Sequence, residues 1–510
     1  MKQLLTTLTA FLLTLSTFAQ GNMTIGSGTS LKVYEKASLI VLGTFNNDPN
    51  GTVTLNSTED DFSSLIVQGE ATGDVIYNRY VNAINATGGG GWDGTGSPVS
   101  MTIASFISDN SDVLVTNNNL YSLGPYNNAT DLFEYYESGT SDSYIAGKGY
   151  TMATQNGAIV KYTGSIATTD QSINVINNDA ANGGVGTMFN MVSNPYPSYI
   201  NGTTFLSENS TVFNPSYTAV YGWNGFGYDI YNNLSEGFYI APGQGFKIAA
   251  NNTTETALNF TTAMRTTAGS GDFVLGLQPL IYSLELKLFN EQTQSGNTNF
   301  YFKNGLTLDL DPGYDAAAYN QSTKLSTRLP QGSQEFAFAI NAMGIDALQN
   351  ARVPLEIKQN AGQAFRVSIA DMELPEDIYV FLEDTLNGTF TSLKDQDFEL
   401  VAQSDLSGAE RFFIVFKDNS VLSSGDTLGI SALNVYKANT DSFVTIAGIS
   451  PELGKLNATI YNMLGAEVRE KALNPTTATQ TISTDGLASG LYIIQLKSGN
   501  QVFNKKIIVE

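Results

Sequence analysis

The chain has no cysteine and no histidine among its 510 residues. Without thiols there is no disulfide framework, no thiolate zinc site and no cysteine nucleophile. Without imidazole, histidine triads, histidine metal ligands and the commonest general base are excluded as well. Cations are scarce: 25 Lys and Arg stand against 48 Asp and Glu, a formal charge of −23. Phosphate neutralisation needs clustered basic side chains, so nucleic acid is excluded as a partner. Past the N-terminus no apolar run approaches the ~20 residues a membrane helix requires, so the mature chain is expected to carry no transmembrane segment. There is also no P-loop and no nucleophile elbow, and no catalytic constellation is legible. A glycosidase-type carboxylate pair acts across ~5–10 Å, a spacing that the sequence leaves open.

What is present points to sheet. The 48 glycines, 25 tyrosines and 28 phenylalanines favour strands and turns over helix, and the length suits roughly three or four domains. The expected class is all-β and multidomain. The opening "MKQLLTTLTAFLLTLSTFAQ" has one Lys, an apolar stretch and small residues at Thr17 and Ala19. It reads as a secretory signal peptide over 1–19, cleaved after Ala19. No cysteine follows for a lipid anchor, so the mature chain is expected outside the cell or on its outer surface.

Residues 20–76 hold short apolar-alternating runs closed by Gly, Asn or Asp at intervals of about ten residues, such as "SLKVYEKA", "SLIVLGTFNN" and "GTVTLNS". These predict a β-solenoid-like segment, with an antiparallel meander as the alternative. Residues 77–164 and 165–265 then read as two tandem β modules, the second a diverged copy of the first. Three blocks recur in order, with offsets of 97 from Trp92 to Phe189, 100 from Tyr121 to Tyr221 and 96 from Gly147 to Gly243. Aromatic residues concentrate there. Tyr121, Trp223 and Tyr228 are candidates for stacking on carbohydrate rings, against the plainer reading that they pack sheet faces.

Residues 266–430 show seven alternating runs, which predict an antiparallel β-sandwich. Within them "LDLDPGYDAAAY" (308–319) spaces Asp309, Asp311 and Asp315 as calcium loops do, with Gly313 for a sharp turn. The twelfth position counted from Asp309 is Asn320 rather than Glu. The alternative is a turn capped by Asp. No other cofactor is expected.

The tail from residue 434 differs chemically. Its seven Lys and Arg against six Asp and Glu give a net charge of +1, leaving −24 on the rest. Its strands alternate cleanly and predict a small C-terminal sandwich. "IYNMLGAEV" (460–468), "DGLASGLYIIQL" (485–496) and the final "KKIIVE" (505–510) resemble the type A C-terminal sorting domain of proteins exported by the type IX (Por) secretion system. A proline-bearing "NP" often opens such domains; "YKANTD" (436–441) stands there instead, which blurs where the domain starts. The resemblance implies recognition by the type IX translocon and its sorting peptidase, followed by release or attachment at the surface. Gly486, Gly490, Tyr492, Lys505 and Lys506 fall on the matching motifs and are the expected sorting signal. The small, polar stretch 419–434 is the expected cleavage linker. The block 266–430 resembles, more loosely, a sandwich that often precedes such tails, and that resemblance brings no activity.

Three functions follow as expectations. The leading one is a non-catalytic, adhesin-like surface or secreted protein. The others are a carbohydrate-binding surface protein engaging surface glycans or polysaccharide, and a secreted hydrolase using paired carboxylates.

Overall fold

The structure is a computed structural model and describes residues 17–19, 21–84, 91–179, 185–225, 227–235, 238–269, 282–418, 433–437, 442–447, 449, 455–463, 465–474, 476–477, 479–499 and 501–509. Most of the expected leader (1–16) and most of the expected cleavage linker (419–432) lie outside the described residues. The fold is all-β, with two short helices and three 3-10 turns among the described residues.

The first nine strands stack as three coils of three. They are β1 (Thr17–Ala19), β2 (Met23–Ile25), β3 (Ser30–Val33), β4 (Ser38–Val41), β5 (Phe45–Asn47), β6 (Thr52–Leu55), β7 (Ser64–Val67), β8 (Ala71–Thr72) and β9 (Val75–Val81). All inter-coil ladders are parallel: β1–β4–β7, β2–β5–β8 and β3–β6–β9. Met23 lies beside Phe45 and Ser30 beside Thr52, a coil of 22 residues, while Ser38 lies beside Ser64 and Phe45 beside Ala71, an offset of 26. Three strands share each coil, so they follow one another more closely than the ten-residue recurrence suggested. Burial alternates along most of these strands, so one face of each ladder points into the coil, and Val41, Leu55, Val75 and Tyr77 are fully enclosed there. β1 belongs to the segment read as a leader. Cleavage after Ala19 would remove it and leave β2 as the first rung.

The solenoid does not end at residue 76. β9 continues to Val81 and pairs antiparallel with a later strand, Ala158–Gly164, along its full length. Between them lie β10 (Asp93–Thr95), α1 (Ile103–Asp109), β11 (Leu123–Asn127), β12 (Leu132–Phe133) and β13 (Tyr150–Met152), then β14 (Ala158–Gly164). The next segment repeats this order: β15 (Phe189–Ser193), α2 (Gly202–Glu208), β16 (Val220–Trp223), β17 (Tyr228–Tyr231), β18 (Gly245–Ala249) and β19 (Thr256–Phe260). Their sheets run β10–β13–β11–β12 and β15–β18–β16–β17, the same arrangement twice.

The helices show why. Each is capped by a polar side chain, Thr102 or Asn201, accepting from the backbone three residues on. Each ends on a buried asparagine. Asn110 donates to Phe106 O and Lys161 O while accepting from Lys161 N. Asn209 does the same to Phe205 O, Asn259 O and Asn259 N. Register corrects one alignment: Gly124 pairs with Thr151, and Tyr221 with Lys247, so Tyr221 corresponds to Gly124 rather than to Tyr121.

The two segments meet reciprocally. Thr95 bridges Gln244 and Lys148 bridges Val192. Gly243 O accepts from Gly96 N, and Gly147 O accepts from Ser193 N, each at 2.8 Å. Residue i of one copy touches j of the other and j touches i, the geometry of a two-fold dimer within one chain. Gly147 and Gly243 hold φ of +79° and +63°, where only glycine sits without strain. Perfect symmetry is broken at Met191, whose side chain fills the space that Gly94 and Gly149 leave empty.

The third block carries β20 (Tyr282–Asn290), β21 (Thr293–Phe302), β22 (Leu325–Thr327), β23 (Phe338–Met343), β24 (Arg352–Ile357), β25 (Ala364–Glu373), β26 (Ile378–Asp384), β27 (Thr389–Ser392), β28 (Phe398–Val401) and β29 (Phe412–Asp418). They form one folded-over sheet in the order β27–β26–β29–β24–β22–β23–β21–β20–β25–β28, with Ala316–Ala317 added beside β23. The β21–β23 pair is parallel and the others antiparallel. One buried cluster joins Phe189, Tyr217 and Tyr221 to Ala316, Leu329, Phe338 and Ile340, so the packing crosses residue 265 without a break.

The tail is built from β30 (Asn434–Tyr436), β31 (Phe443–Ala447), β32 (Leu456–Asn462), β33 (Glu467–Leu473), β34 (Thr479–Ser483), β35 (Gly490–Ser498) and β36 (Gln501–Val509). Two sheets, β30–β31–β34 and β33–β32–β35–β36, enclose a core drawn only from residues 433–509.

Candidate functional site

The half-buried Trp223 and Tyr228 lie opposite each other on β16 and β17, with ring centroids 5.2 Å apart. The Trp223 indole N–H is buried with no hydrogen-bond partner. Tyr228 continues inward onto Tyr319, 4.1 Å away. Tyr121 is half-buried elsewhere, against the core shared by solenoid and first module. The structure thus brings together two of the three rings proposed for stacking.

Beside Tyr228 sits a residue that the sequence reading missed. Lys247 lies on β18, all five residues of which are buried, and is itself 3% exposed. Its ammonium donates to Tyr319 Oη at 2.7 Å and stands 3.7 Å above the Tyr126 ring. Phe133, Tyr228 and Tyr319 complete the enclosure at 5.8, 5.6 and 5.2 Å. Such faces attract a cation through the ring quadrupole, most strongly when water is excluded. Burial lowers the Lys247 ammonium to about 8, with Asp131 pulling the other way. Burial first, then neighbouring acids and phenols, pushes the Tyr126 and Tyr319 hydroxyls far above their ordinary range. Tyr126 donates to Asp131.

The cage draws on both modules and on the segment before β22, so it fastens three parts of the body around one charge. A ligand has no route to an amine so enclosed. The available signal was its position: Lys247 occupies, in an otherwise apolar strand, the place that Thr151 holds in the first copy. A second missed signal is the pair "FISDNSDVL" (106–114) and "FLSENSTVF" (205–213), which carries the two buried asparagines.

The aspartate loop is spent on the backbone. Asp315, fully buried, accepts from Ala342 N and Asp311 N, each at 2.7 Å. Asp311 accepts from Thr307 N at 2.6 Å, and Asp309 from Leu310 N at 2.8 Å. Burial pushes the Asp315 carboxyl up to about 7 against the downward pull of its two N–H donors. The same loop docks onto the second module, with Asn232 donating to Tyr314 O at 2.6 Å and Asn233 N to Gly313 O at 2.9 Å. Among the described residues no group of three or more acidic side chains is arranged to hold a metal ion.

In the tail, Gly486 has φ of +78° in the turn before β35. Gly490 opens β35, and the buried Tyr492 donates to Ala488 O at 2.9 Å. Lys505 and Lys506 are exposed on β36, opposite Ile494 and Ile493. β36 is the last strand of its sheet, so one edge is open. A tight hairpin pairs Ser498 with Gln501, with Gly499 at φ +56°. No helix among the described residues is long and apolar enough to cross a membrane.

Fold and tail together define a class: an all-β body carrying a separate C-terminal domain that addresses it for export. Residues 7–416 match a domain of unknown function, DUF8693, and the chain belongs to that family. Residues 438–510 match the secretion system C-terminal sorting domain, which places the tail among type IX sorting domains and implies interaction with that machinery. No curated protein matches the chain.

Proposed function

We propose that the protein is a non-catalytic, adhesin-like component that acts outside the cell or on its surface, delivered there by the type IX route after an N-terminal signal has taken it to the periplasm. The observation carrying this reading is the division of labour in the fold. The tail has its own core and its own open edge, while buried charges of the body such as Lys247 and Asp315 hold segments together. A strain lacking the gene should adhere less to surfaces and to other cells, and complementation should restore adhesion. Unchanged adhesion, or turnover of polysaccharide or peptide by the purified protein, would count against it.

A second reading is carbohydrate binding. It is favoured by the Trp223–Tyr228 pair, where an unpartnered indole N–H stands beside a tyrosine face. Its test is retention of the protein on polysaccharide columns, which Trp223→Phe should weaken.

A further inference from the structure

β27 and β28 are the two ends of the sheet in the third block, and only five residues, 393–397, join them. β27 pairs only with β26 and β28 only with β25, so a seam runs between two strand edges that do not bond to each other. A cavity of about 750 Å³ opens in that seam, lined from both sides. This lies within the ~300–1,000 Å³ typical of small-molecule sites.

Its floor is apolar. Phe398 packs on Phe365 and Phe412 at 6.2 and 5.7 Å, and Leu400 follows it on the same face of β28. Its walls are polar. Thr389 and Thr391 alternate onto one face of β27, with Gln396 and Glu399 also lining the cavity. None of these four side chains has a hydrogen-bond partner among the described residues, so their full capacity is available.

The charges nearby are already committed. Arg411 donates to Asp384 through Nε and Nη2, at 2.8 and 2.7 Å, and against the cost of burial holds that carboxyl below its ordinary range. Arg366 is bound to Asp397 at 2.6 Å. Among the described residues no Lys or Arg lines the cavity, whereas Asp384, Asp397 and Glu399 do, so phosphate, sulfate and other anions are disfavoured there. Hydroxyl groups suit the site, because each donates and accepts, as threonine, glutamine and carboxylate require. The C–H face of a sugar ring suits the Phe398–Leu400 floor. Strand addition by a peptide is poorly served, since each edge is four residues long.

We infer that the seam between β27 and β28 is a binding site for a neutral oligosaccharide. This rests on the carbohydrate-binding reading and moves its place, from the aromatic pair on the second module to the third block.

The test is an array of neutral glucan, mannan, xylan and chitin oligosaccharides, with uronic and sulfated glycans and an extended-peptide library alongside, probed with the purified full chain. Gln396→Ala, Glu399→Gln and Thr391→Val are surface changes whose folding is checked by an unchanged thermal midpoint. Neutral oligosaccharides should bind, each substitution should weaken binding at least tenfold, and the triple variant should lose it. Binding that ignores all three but falls with Trp223→Phe overturns the seam and keeps the carbohydrate reading. Selective binding of acidic glycans or of peptides overturns the inference, and binding of nothing on the array overturns both.

Discussion

Residues 433–509 and residues 21–418 bury their apolar side chains in different ways. In the tail, every member of the core lies within the tail, from Leu433 and Val435 to Ile507 and Val509. In the body, the second module and the third block each hold a core of their own, but further clusters cross the divisions suggested by sequence. One cluster runs from the solenoid's Val41 and Leu55 into Phe106 and Tyr150 of the first module. Another joins the second module to the third block. Buried polar groups reinforce these joints. Arg79 donates to Pro242 O and Gln244 Oε1 at 2.9 and 2.6 Å, and Arg265 to Val67 O at 3.0 Å, tying solenoid to second module. A tail that serves as a separate export signal has to fold without help, whereas a body that shares cores gains by folding as one object.

The contrast is broken most severely by cutting the body. Residues 266–418 expressed alone should unfold at a much lower temperature than in the full chain, because Leu329, Phe338 and Ile340 lose the aromatic surface that covers them. Residues 433–510 alone should keep a cooperative transition. Calorimetry of the two fragments checks both, and equal behaviour would remove the distinction.

Next in size is the caged lysine. Lys247→Ala leaves a hole among four rings and should cost the body about 2–4 kcal/mol, with the tail's transition unmoved. Lys247→Met, which refills the space without charge, should recover part of that loss, and denaturant titration separates the two variants.

The paired asparagines sharpen the comparison within the body. Asn110→Ala and Asn209→Ala each strand buried backbone groups and should cost about 1–3 kcal/mol, by similar amounts in the two copies. A large inequality would mean that the two sites are not equivalent.

The smallest effect is one of pH. Asp315 titrates near 7 when folded and about 4 when unfolded. Between those values the folded state holds a proton that the unfolded chain has lost, so this group's contribution to stability falls as pH rises from about 4 to about 7. Asp315→Asn does not titrate. The stability gap between the native protein and this variant should therefore narrow across that window, and a constant gap would refute the assignment.

How much of this was legible follows from how local each signal is. The tail's motifs are contiguous, and "DGLASGLYIIQL" with "KKIIVE" maps directly onto β35 and β36. The solenoid's alternation was visible, but its period was not, because three strands of similar composition fill each coil. The doubled segments could be aligned except at Tyr121, where a change in loop length slips the register that Gly124 and Thr151 define. The lysine cage could not be read at all. Tyr126, Tyr228, Lys247 and Tyr319 come from distant parts of the chain, and only the folded sheets bring them to one charge. The aspartates at 309–315 carried calcium-like spacing, yet spacing is silent on whether backbone N–H groups have already claimed the oxygens.

The most direct test of the division between body and tail is a transplant. Residues 433–510 would be fused behind an unrelated periplasmic reporter in a bacterium that has the type IX machinery, next to the native protein lacking those residues. Fractionation should find the reporter outside the cell and the truncated body folded but retained in the periplasm. A reporter that stays inside, or a truncated body that still reaches the surface, would contradict the assignment of export to the tail.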